Sequence, residues 1–280
     1  MGEDEKALGQ RLQKARQNAG LTQQELCQKA GLSYSTLAKI ERGAIKAPSV
    51  FTVAAIARAT GTAMEDLMEM AAPAKGSKKT SRSGVRFVYF DLNGTLVRSY
   101  EKALTKVATE AGLPVDTVEK YYWRYDDEVC NGRMSMNDFN AAMGEHLGLS
   151  DFDWPSHYLE AVEPVEGMSE LVEWVSQNYE VGLLSGTMPG LIQGLADRGK
   201  IPLDKFSKVI DSSVVKLLKY GPEIFEYAQA EAGCEPHSIL LVDDDKVSII
   251  NADRLQWQIC RFDAYDPAAS IARVKAHLEF

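Results

Sequence analysis

The stretch Val85-Arg86-Phe87-Val88-Tyr89-Phe90-Asp91-Leu92-Asn93-Gly94-Thr95 decides how the larger part of this chain folds. Apolar residues fill successive positions of the run, the pattern of a strand buried on both faces of a parallel sheet. The tight sequence Leu92-Asn93-Gly94-Thr95 ends it, so the Asp91 carboxylate is delivered to the carboxyl end of a buried strand. Open α/β sheets place their chemistry at that edge. Two further strand-like runs, 180–184 and 239–242, end at Ser185 and at Asp243-Asp244. Helical patterns alternate with the three runs, which predicts a parallel sheet with helices on both faces.

Between the first two runs lie SYEKALTKVATEAG, PVDTVEKYYWRYDDEV and SMNDFNAAMGEHLG, with no convincing strand among them. They are too long for a simple loop and predict a helical insertion at about 97–165. Upstream, residues 71–84 mix small, breaker and basic residues without hydrophobic periodicity, as a flexible linker does. The linker separates a first domain, 1–70, from a second, 85–280. A chain of 280 residues, 45% hydrophobic and 25% charged, is long enough for two globular units and too apolar to be disordered.

The net charge of -9 is unevenly shared. Residues 1–70 carry nine basic and eight acidic side chains, 71–84 four basic and no acidic, and 85–280 eighteen basic and thirty-two acidic. An anionic partner is therefore expected for the first part alone. Cys27, Cys130, Cys234 and Cys260 show no CxxC spacing, against a zinc site or a disulfide framework and in favour of reduced thiols. No apolar run approaches the roughly 18 to 20 residues needed to cross a bilayer. A cytoplasmic protein without membrane span or secretion signal is expected.

The segment LTQQELCQKAGLSYSTLAKIERG, residues 21–43, has a short helix, a turn at Gly31 and a second helix opened by Ser33 as N-cap. With the flanking APSVFTVAAIARATGTAMEDLM it resembles the lambda-repressor and Cro-like (XRE-type) helix-turn-helix family. The resemblance implies an all-α five-helix domain whose third helix enters the major groove of double-stranded DNA. Tyr34, Ser35 and Lys39 occupy the base-reading places. Gln23 would brace the recognition helix or contact the DNA backbone, and Thr22, Arg42 and Lys46 are candidate phosphate contacts. Arg16 and Glu41 are expected to form a partly buried ion pair. The near-zero charge of this domain implies modest affinity per copy, which a homodimer on a two-fold operator would compensate. Lys75, Lys78, Lys79 and Arg82 are candidates for further phosphate contacts.

The sequence FDLNGTL, around Asp91, resembles the first motif of the haloacid dehalogenase (HAD) superfamily, and three further motifs follow in the family's order. Ser185 takes the place of the hydroxyl that holds the transferred phosphoryl group. Lys219, in LKYGPEIF, takes that of the ammonium that neutralises nucleophile and phosphate oxygens. ILLVDDD supplies Asp243 and Asp244, the latter as metal ligand. The resemblance implies a Rossmann-like core, a helical cap that chooses substrates, and a magnesium ion held by Asp91, the backbone carbonyl of Asn93, and Asp244. Tyr121, Tyr122, Trp123 and Tyr125 are candidate pocket residues on the cap, or else core.

In active members a second Asp, two positions after the nucleophile, protonates the leaving oxygen and then activates water. Here that residue is Asn93. Tyr220, Gly221, Gly186 and Ser248 also depart from the usual pattern. The expected function is a DNA-binding transcriptional regulator whose second domain senses magnesium and a phosphorylated small molecule, or serves dimerisation, with impaired catalysis. The alternative is a magnesium-dependent phosphatase or related hydrolase with an accessory DNA-binding domain. A dehalogenase, which needs no metal, fits less well, because its branch usually carries Tyr at the position of Asn93.

Overall fold

The computed structural model describes residues 3–45, 48–62, 67, 78–98 and 100–279. The chain divides into two compact units, Met1–Ser77 and Lys78–Phe280. The first is helical among its described residues: α1 (Glu3–Asn18), α2 (Gln23–Ala30), α3 (Tyr34–Glu41) and α4 (Val50–Thr60). Side-chain caps set the helix starts. Thr22 and Glu25 form a reciprocal capping box at α2, Ser33 caps α3, and Ser49 caps α4. The apolar sides meet in a core of Leu12, Leu26, Leu37, Ile40, Val53 and Ile56. Of the expected fifth helix only Leu67 is described; it is helical and buried in the same core, while 63–66 and 68–70 lie outside the described residues.

The expected linker does not behave uniformly. Residues 71–77, with Lys75, lie outside the described residues, but 78–84 belong to the second unit. The Lys78 ammonium donates to the Ser176 carbonyl, and buried Ser81 accepts from the Val85 backbone N–H at 2.9 Å. Small polar residues that read as solvated chain are here bound by backbone hydrogen bonds.

The second unit holds a five-stranded parallel sheet in the order β3-β2-β1-β4-β5. The strands are β1 (Phe87–Phe90), β2 (Glu180–Ser185), β3 (Lys208–Asp211), β4 (Ile239–Asp243) and β5 (Gln258–Arg261). The sheet confirms the predicted parallel α/β core. Its edge strands β3 and β5 were not legible, because four short, half-exposed residues interspersed with Lys, Asp, Gln and Arg lack the continuous apolar signature of the central three. Along β1, Phe87 and Tyr89 enter one apolar core and Val88 and Phe90 the other. The Tyr89 ring crosses β2 at Gly182, where a Cβ would lie 2.3 Å from it; only glycine leaves that path open.

The insertion that follows β1 holds, among its described residues, α5 (Glu101–Ala111), α6 (Val115–Cys130), α7 (Met136–Leu147) and α8 (Trp154–Ala161). They build the expected cap around Tyr122, Phe139, Trp154 and Tyr158. The sheet is completed by α9 (Met168–Asn178), α10 (Leu191–Asp197), α11 (Ser212–Val215), α12 (Glu223–Ala232), α13 (Lys246–Arg254) and α14 (Pro267–Leu278). Among the described residues no helix is long and apolar enough to cross a membrane.

Candidate functional site

Strand order decides where the second unit's site forms. The chain moves from β1 outward to β2 and β3, then returns to the other side of β1 for β4, so a crevice opens between the carboxyl ends of β1 and β4. The Asp91 N–H donates to the Val242 carbonyl at 3.0 Å, which sets Asp91 beside Asp243, the last residue of β4.

Lys219 enters from the loop between α11 and α12. Its Nζ donates to Asp91 Oδ1 at 2.6 Å and to Asp243 Oδ2 at 2.8 Å, with the Leu184 carbonyl at 3.4 Å. The three side chains are almost wholly buried. Burial pushes the Asp91 carboxyl above its ordinary pKa and Lys219 opposes the shift; Asp243 behaves alike. Burial also works against the Lys219 charge, yet Asp243 and Asp91 hold its pKa above that of an ordinary lysine. Asp244 is pushed up to about 6 by burial and by Asp243.

Carboxylate oxygens of Asp91, Asp243 and Asp244 lie within 4.8 Å of one another, against the single ammonium of Lys219. An excess of negative charge in an all-oxygen donor set fits a hard divalent cation such as magnesium. The hydroxyls of Ser185 and Thr187 are buried without a hydrogen-bond partner. Buried polar groups are normally paired; of these two residues Thr187 lines the cavity and Ser185 does not. Ser185 itself is fully buried, and the cavity wall above it is made by Gly186, Thr187 and Met188.

Gly94 packs directly against the Asp244 carboxylate. It has φ +85°, and a Cβ there would meet Asp244 Oδ2 at 2.2 Å. Gly94→Ala is therefore expected to displace Asp244 and weaken magnesium affinity about 10-fold or more. A calorimetric magnesium titration giving the wild-type affinity would remove Asp244 from the ligand set.

Asn93 is engaged by the cap. Its Oδ1 accepts a 2.5 Å hydrogen bond from the hydroxyl of Tyr158, on α8 of the cap. Tyr158 is buried, and burial raises its pKa. Neither this partnership nor the role of Asp243 as the second holder of Lys219 was legible in the sequence. The only signal for Asp243 was the doubled Asp at a strand end; for Tyr158 there was none.

The cavity in front of these groups measures about 580 Å³ and is bounded by the cap, chiefly by α6. The four aromatic candidates divide. Tyr122 and Trp123 line the cavity. Tyr121 and Tyr125 turn away: the Tyr121 ring stacks on His146, centroids 4.1 Å apart, and the Tyr125 hydroxyl bonds His146 Nε2 at 2.9 Å. Helical geometry explains the division, since 121 and 125 share one stripe while 122, 126 and 130 share another. Asp126, Asp127 and Cys130 accordingly face the cavity with Tyr122 and Trp123.

In the first unit, Arg16 and Glu41 form the expected buried pair, with Nε to Oε1 at 2.7 Å and Nη2 to Oε2 at 3.0 Å. Gln23 Nε2 donates to Glu41 Oε2 at 2.7 Å, so this side chain braces α3. Thr22 is engaged in its capping box with Glu25. Tyr34, Ser35 and Lys39 are exposed on α3, and Arg42 is exposed at its C-cap, with Nε donating to the Ala38 carbonyl. At about 100° per residue, these four positions fall within an arc of about 140°, opposite buried Leu37 and Ile40. Lys46 lies outside the described residues.

Comparison with curated proteins gives no match. Among solved structures the chain is similar to a HAD family enzyme from Bacteroides thetaiotaomicron in complex with magnesium and inorganic phosphate. That likeness has 20% identity and a TM-score of 0.56, and covers 65% of this chain and 96% of that one. A HAD-like family hydrolase from Porphyromonas gingivalis is similar at 22% identity and a TM-score of 0.55, over 66% of this chain and 96% of that one. At such identities the likeness shows the fold. A helix-turn-helix family model matches residues 12–67, and the model of the haloacid dehalogenase-like hydrolases matches residues 85–249. The second match spans more than half of the sequence: the chain belongs to the haloacid dehalogenase-like hydrolase family and carries a helix-turn-helix domain ahead of the family's fold.

Proposed function

We propose that this protein is a cytoplasmic, homodimeric DNA-binding regulator whose HAD-like domain binds magnesium and a phosphorylated small molecule without efficient turnover. One observation carries the reading: beside an assembled Asp91, Lys219 and Asp244, the position that serves proton transfer in the family is a carboxamide whose oxygen accepts from Tyr158. Asp91 presents a nucleophilic oxygen, and Lys219 neutralises charge on it and on an incoming phosphoryl group. Magnesium, held by Asp91 and Asp244, would supply positive charge to the phosphoryl oxygens. Asn93 has no acidic proton for the leaving oxygen and no basic oxygen for water. Losing such help typically costs about 10²- to 10⁴-fold in rate. Ligand would bind longer than it reacts, as a sensor requires, and it regulates only if it favours one arrangement of the paired DNA-reading heads.

A panel of phosphate esters, assayed with magnesium on wild type and Asp91→Asn, tests the reading. Efficient wild-type turnover lost in Asp91→Asn would establish the rival, a phosphatase with an accessory DNA-binding module. That rival draws support from the short, buried contact between Lys219 and Asp91.

For the first unit, selection on randomised DNA at fixed salt is expected to return a two-fold site. Tyr34→Ala and Lys39→Ala should each relax preference at one position by about 1–3 kcal/mol, and Arg42→Ala should weaken all sequences alike. A selection that returns no sequence preference would overturn the regulator.

A further inference from the structure

The cavity has two unlike walls. The sheet side carries Asp91, Lys219 and Asp244, the parts that suit magnesium and phosphate. The cap side carries Asp126 and Asp127 beside the rings of Tyr100, Trp123 and Tyr220. Two carboxylates facing a phosphate site are unexpected, because they repel any anionic extension of a phosphorylated ligand.

No ion pair among the described residues joins Asp126 or Asp127 to a cation, and Lys219 is already bound to Asp91 and Asp243. The remaining basic groups of the cavity, Lys246 and Arg261, are exposed and belong to the start of α13 and the end of β5. Asp126 Oδ1 accepts from Cys130 Sγ at 3.5 Å, and burial raises its pKa, with the neighbouring Asp127 adding to the shift, which a cation beside it would oppose. Among the described residues Asp91, Asp243 and Asp244 form a three-carboxylate cluster, and Asp126 and Asp127 belong to no such group of three.

The aromatic neighbours complete the pattern. Tyr100, Tyr122 and Trp123 pack together with centroids 5.1 to 5.6 Å apart. Trp123 remains 46% exposed, and Tyr220 58%, so ring surface is open beside the two carboxylates. Aromatic faces attract organic cations, and tryptophan attracts them best. Carboxylates and ring faces without a protein cation form a receptor for an ammonium group.

We propose that the cap wall binds an ammonium group, and that the ligand of this protein is a phosphorylated amine. Its phosphate would sit toward Asp91 and Lys219, its ammonium against Asp126, Asp127 and Trp123. The assignment rests on reading the sheet side as a magnesium and phosphate site, and it gives the cap a selective role through charge. A cavity of about 580 Å³ admits a small phosphorylated amine with room for magnesium.

Calorimetry on the full chain with magnesium tests this with phosphocholine, its uncharged carbon analogue 3,3-dimethylbutyl phosphate, inorganic phosphate and choline. Phosphocholine is expected to bind about 10-fold or more tightly than the uncharged analogue. In Asp126→Asn/Asp127→Asn that ratio should fall toward one. Should the double variant fail to fold, Asp127→Asn and Trp123→Leu, both altered at the cavity surface, provide the same ratio. A wild-type ratio near one, or a ratio that these substitutions leave unchanged, overturns the proposal. Failure of inorganic phosphate to bind would instead overturn the reading of the sheet side. Choline alone then decides the cap wall: weak binding that the carboxylate variants abolish upholds it, and absence of binding refutes it.

Discussion

Asn93→Asp is expected to raise magnesium-dependent phosphate-ester hydrolysis by about 10²- to 10⁴-fold, the usual worth of positioned acid and base help. The substitution is nearly isosteric, and the new carboxyl would stand where Asn93 Oδ1 now meets the Tyr158 hydroxyl at 2.5 Å. Burial raises the pKa of the neighbouring carboxyl groups, and a third acid beside Asp91 and Asp244 would share that upward shift. An acid whose protonated form is favoured by burial can protonate a leaving oxygen and then accept a proton from water. The Tyr158 hydrogen bond works in the opposite sense, because it favours the carboxylate. Asn93→Asp/Tyr158→Phe should therefore be a better general acid than the single variant. Initial rates over the ester panel, with the melting profile of each variant as a folding control, measure both. If wild type already turns over and neither variant is faster, Asn93 is not the missing group and the protein is an enzyme as it stands.

The second large effect belongs to the first unit. Glu41→Ala removes the acceptor of both Arg16 and Gln23, leaving a buried guanidinium uncompensated. Breaking a buried pair from one side costs about 3–5 kcal/mol. A small helical domain has about 5 kcal/mol of stability at most from a single core of this size, so the helix-turn-helix unit should be largely unfolded. Urea titration of the full chain, followed by far-ultraviolet circular dichroism, should show early loss of that unit and an unchanged later transition for residues 78–280. Arg16→Met/Glu41→Leu should recover much of the lost stability, because a packed apolar pair has no buried charge to satisfy. Equal instability in both variants would mean that the ion pair is not what holds α1 to α3.

Much of this architecture was readable because it is written locally. The strand at 87–90 and those at 180–185 and 239–243 are nearly continuous apolar runs, and the helix start at Tyr34 follows its N-cap Ser33. Gly94 and the doubled Asp243-Asp244 likewise announce a strand-end site. Where such local signals are weak, the element does not show in the sequence. The edge strands β3 and β5 have one buried side chain each and polar neighbours. Ser81 gave no hint that residues 78–84 would be bound to the second unit.

By itself, the sequence determined the two-part organisation, the strand that carries Asp91, the identities of Lys219 and Asp244, and the replacement of an acid by Asn93. Tertiary structure alone decided what those groups do to one another. Lys219 reaches Asp91 across 128 residues of chain and is shared with Asp243. Tyr158, 65 residues from Asn93, takes up the amide oxygen. The side of α6 that meets the cavity, with Asp126 and Asp127 on it, is set by how the helix packs on its neighbours. Secondary structure follows from the spacing of neighbouring side chains, whereas a site is made by contacts between distant segments, and those exist only once burial has fixed which faces meet.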